Sequence, residues 1–251
     1  MQTKRRRRHG RSALALTIAI VAGLGAAKAD AQQRMLSQSA EQSCKGMQAP
    51  TFRVNNFAEP VAHRHQRSVG DLTRTSKASK TRQTASSHTL GLTSHTFDYN
   101  VETKWMTVTD SKHVCNAIAE IVITVGLSKR VVDIAADLPQ GTCIHGEVLA
   151  HEHRHVKTAE DVLVAGTPSV SAALSGAASQ LRPALFRIGD DAAAAEWRGK
   201  SVEWIRDRVG TAVGAMNKEE ARRQELIDTP EEYKRLGTVC NGEAMRYVRK
   251  R

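Results

Sequence analysis

Residues 148–161 read VLAHEHRHVKTAED, and three histidines stand there within five positions, at 151, 153 and 155. On an α-helix, residues four apart share a face. His151 and His155 can then aim their imidazoles at one point, with Glu152 turned toward the same side and His153 turned away. Val148, Leu149, Val156, Ala159, Val162 and Leu163 fall on one broad arc, and the histidine pair sits at its edge. Arg154, Lys157 and Glu160 fall elsewhere and read as solvated. The pattern predicts a half-buried helix that starts near Thr142 and runs to about Ala165, ahead of Gly166-Thr167-Pro168.

The fold class follows from what lies on either side of this helix. Upstream, HTFDYNVETKWMTV, AIAEIVITVGL and RVVDIAADL are rich in β-branched and aromatic residues. They read as antiparallel strands joined by short turns, closed by Pro139-Gln140-Gly141. Downstream, DDAAAAEWRGKSVEWIRDRVGTAVGAMNKEEARRQELI predicts a long helix from about Asp190 to Ile227. Thr229-Pro230-Glu231-Glu232 then resembles a capping box that opens a last short helix. Strands first and helices after is an α+β order, with a small antiparallel sheet, the histidine helix and further C-terminal helices. Residues 30–88, with the stretch HRHQRSVGDLTRTSKASKTRQTASSH, carry few apolar side chains and read as a weakly structured basic arm or linker. TFRVNNF before that stretch has the composition of a strand. His63 and His65 read here as solvated. The folded domain is thus expected over residues 89–251.

The N-terminus reads as an export signal. Lys4, Arg5–Arg8 and Arg11 precede an apolar run from Ala13 to Leu24, and small-x-small triplets follow at 27–29 and 29–31. This predicts a signal peptide over residues 1–29, with cleavage after Ala29 or Ala31. The run is too short for the roughly 20 residues that span a bilayer, so no stable membrane span is expected after cleavage. Localisation is then secreted or periplasmic. The charge changes meaning as well. Of the formal +11, seven positive charges lie in residues 1–29 opposite no acid, which leaves +4 on the remainder. With aromatic residues at 4%, there is little to support a nucleic-acid surface. Cys44, Cys115, Cys143 and Cys240 contain no C-x-x-C pair, and in an exported chain they read as disulfides. Cys115–Cys143 would pin sheet to helix, and Cys143–Cys240 is an equal alternative.

Spacing gives the chemistry. His151-Glu152-His153-Arg154-His155 matches H-E-x-x-H, in which two histidines bind Zn2+ and the glutamate acts as general base. Zinc makes its water acidic enough to attack near neutral pH. The expectation is an exported zinc peptidase acting on a peptide or protein substrate, with His151 and His155 as ligands and Glu152 as catalytic base. The alternative is a non-catalytic exported metal-binding protein, or a structural envelope protein. A pure metal binder would use His145, His151, His153 and His155 for zinc or copper.

On these residues the chain resembles the zincin-type metallopeptidases. More narrowly, HVCNAIAEIVITV, DLPQG and LAHEHRHV are similar to an uncharacterised family of secreted bacterial proteins described as zinc-dependent-protease-like. The resemblance covers about residues 90–240, so residues 89–251 read as a zincin-like domain, and only H-E-x-x-H in it is specific. It implies a helix packed beside a sheet whose edge strand pairs with an extended peptide. It also implies a third zinc ligand, for which three candidates stand. Asp161 has the metzincin spacing, but Thr158 occupies the position of the turn glycine. Glu203, with Asp207 four residues on, has the spacing of a ligand drawn from a later helix. Asp228 lies where the narrower family carries an acidic residue. Tyr233 is a possible oxyanion donor.

Overall fold

The computed structural model describes residues 39–78, 88–176 and 178–248. The expected signal peptide lies outside the described residues. Everything is organised around one strand, β4 (His113–Ile134), 22 residues long. Its first edge takes β3 (Gly91–Thr109), antiparallel over almost the whole length. Its other edge takes three shorter strands in tandem. β5 (Ala184–Arg187) pairs antiparallel with residues 113–116 of β4. β1 (Thr51–Ala58) and β2 (Ala62–Arg64) pair parallel with residues 120–127 and 131–133. The α+β class therefore holds, but the all-antiparallel sheet does not: β1 and β2 run parallel to β4.

β1 and β2 keep the same register on β4, so they form one edge strand interrupted by Glu59-Pro60-Val61. Pro60 has no N–H to give a ladder. Glu59 fills the gap: its N–H donates to the Leu127 carbonyl at 2.9 Å, and its carboxylate accepts from the Lys129 N–H at 2.8 Å. Of the short turns expected between strands, the one between AIAEIVITVGL and RVVDIAADL, at Ser128-Lys129, is absent. Lys129 instead takes φ +52° and sits at a β-bulge, where Ser94 faces Val131 but Thr96 faces Ser128. One extra residue flips the inside–outside alternation. Ile121, Ile123, Val125 and Leu127 are buried before it, and Val132 and Ile134 after it.

The helices cover this apolar face. α1 (Ala40–Gly46) and α2 (Val69–Ala78) come early in the chain. α3 (Cys143–Ser175) begins at an N-cap, Thr142, whose hydroxyl accepts from the His145 N–H. It does not stop near Ala165. It runs through Pro168 to Ser175, with the Thr167 hydroxyl donating to the Leu163 carbonyl at 2.7 Å. Proline costs a helix one hydrogen bond, and here the burial of Val170 and Leu174 offsets that loss. Gly166 lets α3 approach α4 (Asp191–Gln224) closely, because a Cβ there would lie 2.6 Å from Met216 Cγ. α5 (Pro230–Gly242) and α6 (Ala244–Val248) complete the chain. One core joins β4 residues 118–127 to α3 and α4; a second joins Val132, Ile134, Leu138, Ile144 and Val148 to Leu72 of α2.

Two further expectations give way. The stretch read as an arm is folded between residues 39 and 78, because β1 and β2 supply the second edge of β4 and Leu72 is fully buried. The domain therefore begins well before residue 89; residues 79–87 lie outside the described residues. The disulfides are Cys44–Cys115 and Cys143–Cys240. Cys115 is thus tied to α1 rather than to Cys143, and the alternative partner of Cys143 is the one formed. The Cys143–Cys240 bond joins the start of α3 to the end of α5. Cys143→Ser combined with Cys240→Ser is expected to lower the unfolding free energy by about 2–4 kcal/mol, read from urea denaturation under non-reducing conditions. An unchanged urea midpoint would mean that α5 is held by packing alone.

Candidate metal centre

α3 carries His151, Glu152 and His155 on its buried face, at 4%, 4% and 8% exposure. That burial is unusual for three polar residues, and each has a fixed partner. The His151 Nδ1 lies 3.2 Å from Glu232 Oε1. Arg154 Nη2 donates to that same oxygen and lies 2.9 Å from the ring nitrogen, so two donors share one carboxylate oxygen. The His155 Nδ1 donates to Gln224 Oε1, and the amide of Gln224 is itself locked by donating to the His155 carbonyl at 3.1 Å and to Glu220. A ring whose Nδ1–H is engaged presents the lone pair of Nε2.

Both Nε2 atoms face the same point, 3.1 Å apart. Asp228, in the turn between α4 and α5, brings Oδ1 to 3.2 Å from each. Three donor atoms from residues 151, 155 and 228 thus form a near-equilateral triangle. Without an ion the three atoms stand at hydrogen-bonding distance from one another; with each Nδ1–H engaged, both Nε2 lone pairs and the carboxylate oxygen would be free to take a cation. Three ligands bonded tetrahedrally at about 2.0–2.1 Å stand roughly 3.3 Å apart, close to the observed sides. The residues therefore fit a divalent transition-metal ion. Burial opposes ionisation of Asp228, but its hydrogen bonds to His151 and His155 outweigh that and hold the carboxyl well below the usual range. Burial likewise opposes a charged His155, yet Asp228 pulls its pKa up. Glu232 is brought to about 2, first by Arg235, against partial burial, and then by Arg154 and His151.

Glu152 does not join the triangle. Its Oε2 accepts from the Thr93 hydroxyl of β3 at 2.8 Å. Gly91 makes room for it, since a Cβ at that position would lie 2.5 Å from Glu152 Oε1. Burial raises the Glu152 pKa, although both histidines counteract this. Glu152, His151, His155, Asp228 and Tyr233 line one cavity of about 630 Å³, whose walls include Leu90, Leu92, Val148 and Leu236. Burial, and then the carboxylates of Asp228 and Glu152, push the Tyr233 phenol well above its ordinary value, so it stays a proton donor.

The other candidates fall elsewhere. Asp161 is paired on the surface with Lys157 at 2.9 Å. Glu203 is exposed on α4 and lines a separate depression beside Trp105 and Arg198. His153 points away from the centre, and its ring meets that of His63. Sequence reading missed Glu232, Gln224, Thr93 and Gly91. Glu232 carried a signal, as the third helical residue of the capping box. Thr229 caps the Glu232 N–H at 3.2 Å, but the glutamate side chain turns to His151 instead of closing the box.

No known protein family, no curated protein and no solved structure matches this chain. Among the described residues, no helix is long and apolar enough to cross a membrane.

Proposed function

We propose that the chain is an exported zinc-dependent peptidase, with His151, His155 and Asp228 as metal ligands and Glu152 as general base. The observation that carries this reading is the convergence of two anchored imidazoles and a carboxylate in the same cavity as a buried, hydrogen-bonded glutamate. The ligand set would hold zinc through three protein atoms, as catalytic sites do. When bound, zinc supplies Lewis acidity that makes water a nucleophile near neutral pH and polarises a carbonyl.

The chain's own residues do the rest. Glu152 takes a proton from the attacking water and returns it to the departing amine, and Thr93 holds its carboxylate in place for both transfers. Tyr233, keeping its proton, donates a hydrogen bond from its hydroxyl to the oxygen on which charge develops. Among the described residues β3 has a ladder partner only on its β4 side, and its start, Gly91–His95, borders the cavity. An extended peptide can add to that free edge and pass Glu152 with an apolar side chain lodged among Leu90, Leu92, Val148 and Leu236. The two-imidazole, one-carboxylate donor set suits zinc and also Fe(II); the H-E-x-x-H spacing, with Glu152 beside the ligands, favours the hydrolytic zinc reading. The two disulfides suit an oxidising compartment outside the cytosol.

The test is hydrolysis of a denatured protein by the full-length, purified chain. Cleavage should stop on addition of a chelator and return when zinc is added back. Cleavage that survives metal removal would contradict the proposal.

A further inference from the structure

We infer that His63 and His153 form a second metal site, on the surface, suited to a divalent copper or nickel ion. His63 lies on β2 and His153 on α3, and their Nε2 atoms approach to 2.9 Å. The rings meet edge to face, with centroids 5.2 Å apart and planes at 65°. Both side chains are exposed. The pair is separated by 90 residues, so the fold makes it. His63 is set opposite Val132 in the β2–β4 ladder, and Val61, just before β2, shares one apolar cluster with Val132 of β4 and Leu149 and Val156 of α3.

Solvent-open imidazole donors suit Cu(II) and Ni(II), and the separation, also that of a hydrogen bond between the rings, is compatible with such a site. Two nitrogens bonded at about 2.0–2.1 Å stand roughly 2.9 Å apart when they meet at a right angle, and roughly 3.3 Å apart in a tetrahedron. The His63–His153 spacing matches adjacent corners of a square or tetragonal site, the geometry of Cu(II) and Ni(II). With no ion, one imidazole must donate Nε2–H to the other. On binding, the donating ring moves that proton to Nδ1, and both Nε2 lone pairs turn to the metal without net release of a proton. Water takes the remaining positions, since both rings face solvent. His65 Nε2 is engaged elsewhere, donating to the Leu138 carbonyl at 2.7 Å. The site is separate from the buried centre, because His153 projects from the opposite side of α3 to His151 and His155.

The experiment is a titration of the full chain with Cu(II), read by electron paramagnetic resonance and by equilibrium dialysis. In a His151→Ala, His155→Ala background, whose buried centre cannot supply two imidazoles, a copper signal split by two imidazole nitrogens should appear, and adding either His63→Ala or His153→Ala should remove it. Each should lower affinity at this site by more than about tenfold, since one protein ligand remains. Circular dichroism checks that the variants fold; if His63→Ala does not, His63→Gln replaces it. His151→Ala should retain the signal, which separates this site from the buried one. Copper bound equally in that background with and without His63→Ala or His153→Ala would overturn the inference. So would loss of the signal in His151→Ala alone.

Discussion

Glu152→Gln is expected to lower hydrolysis of a denatured protein by about 10²–10⁴-fold, the range supplied by a positioned general base, while leaving the metal content unchanged. Glutamine matches glutamate in size, and its carbonyl oxygen can still accept the Thr93 hydroxyl that now reaches Oε2. Gly91 leaves no space for a bulkier group, because a single Cβ there would already touch the carboxylate. The amide removes only the ability to take up a proton. Glu152 is not one of the three converging donor atoms, so ligation should survive. Loss of metal together with activity would mean that Glu152 is a ligand. Unchanged activity would remove it from the chemistry altogether.

Asp228→Ala is expected to weaken zinc binding by more than about 100-fold in chelator competition. It removes one of three ligand atoms, whereas losing an outer partner of a ligand histidine typically costs 10–100-fold. Glu232→Gln should fall within that smaller range. Its carboxylate holds the His151 Nδ1 at 3.2 Å but touches no lone pair of the triangle. Asp161→Ala and Glu203→Ala should leave affinity unchanged, since Asp161 is tied to Lys157 and Glu203 lies in a different depression. An effect of Glu203→Ala as large as that of Asp228→Ala would overturn the ligand assignment.

How much of this was legible in the sequence depended on the range of the forces involved. The helix spacing that puts His151 and His155 on one face is local, and the apolar arc beside them marked that face as buried. The N-cap at Thr229 was also legible, because capping is a short-range contact. Asp228 could be named only as one of three acids, since its approach to the histidines spans more than seventy residues and is fixed by how α4 and α5 pack on α3. β1 and β2 were hidden for a related reason: a parallel edge strand draws its partner from residues 69 positions away. The basic composition of residues 63–88 also masked Val69 and Leu72, the buried apolar residues that anchor α2. Lys129 was read as a turn because Ser-Lys breaks the β-branched run, while the structure spends that break on a bulge within one continuous strand.

The most direct test of the central claim is elemental analysis of the full chain purified without chelator and dialysed against metal-free buffer, alongside its histidine variants. The account predicts about one zinc ion per chain in the wild type and in His153→Ala. It predicts little or none in His151→Ala and His155→Ala. A wild type that neither retains zinc nor takes it up, or a His153→Ala that loses as much as His151→Ala, would contradict it.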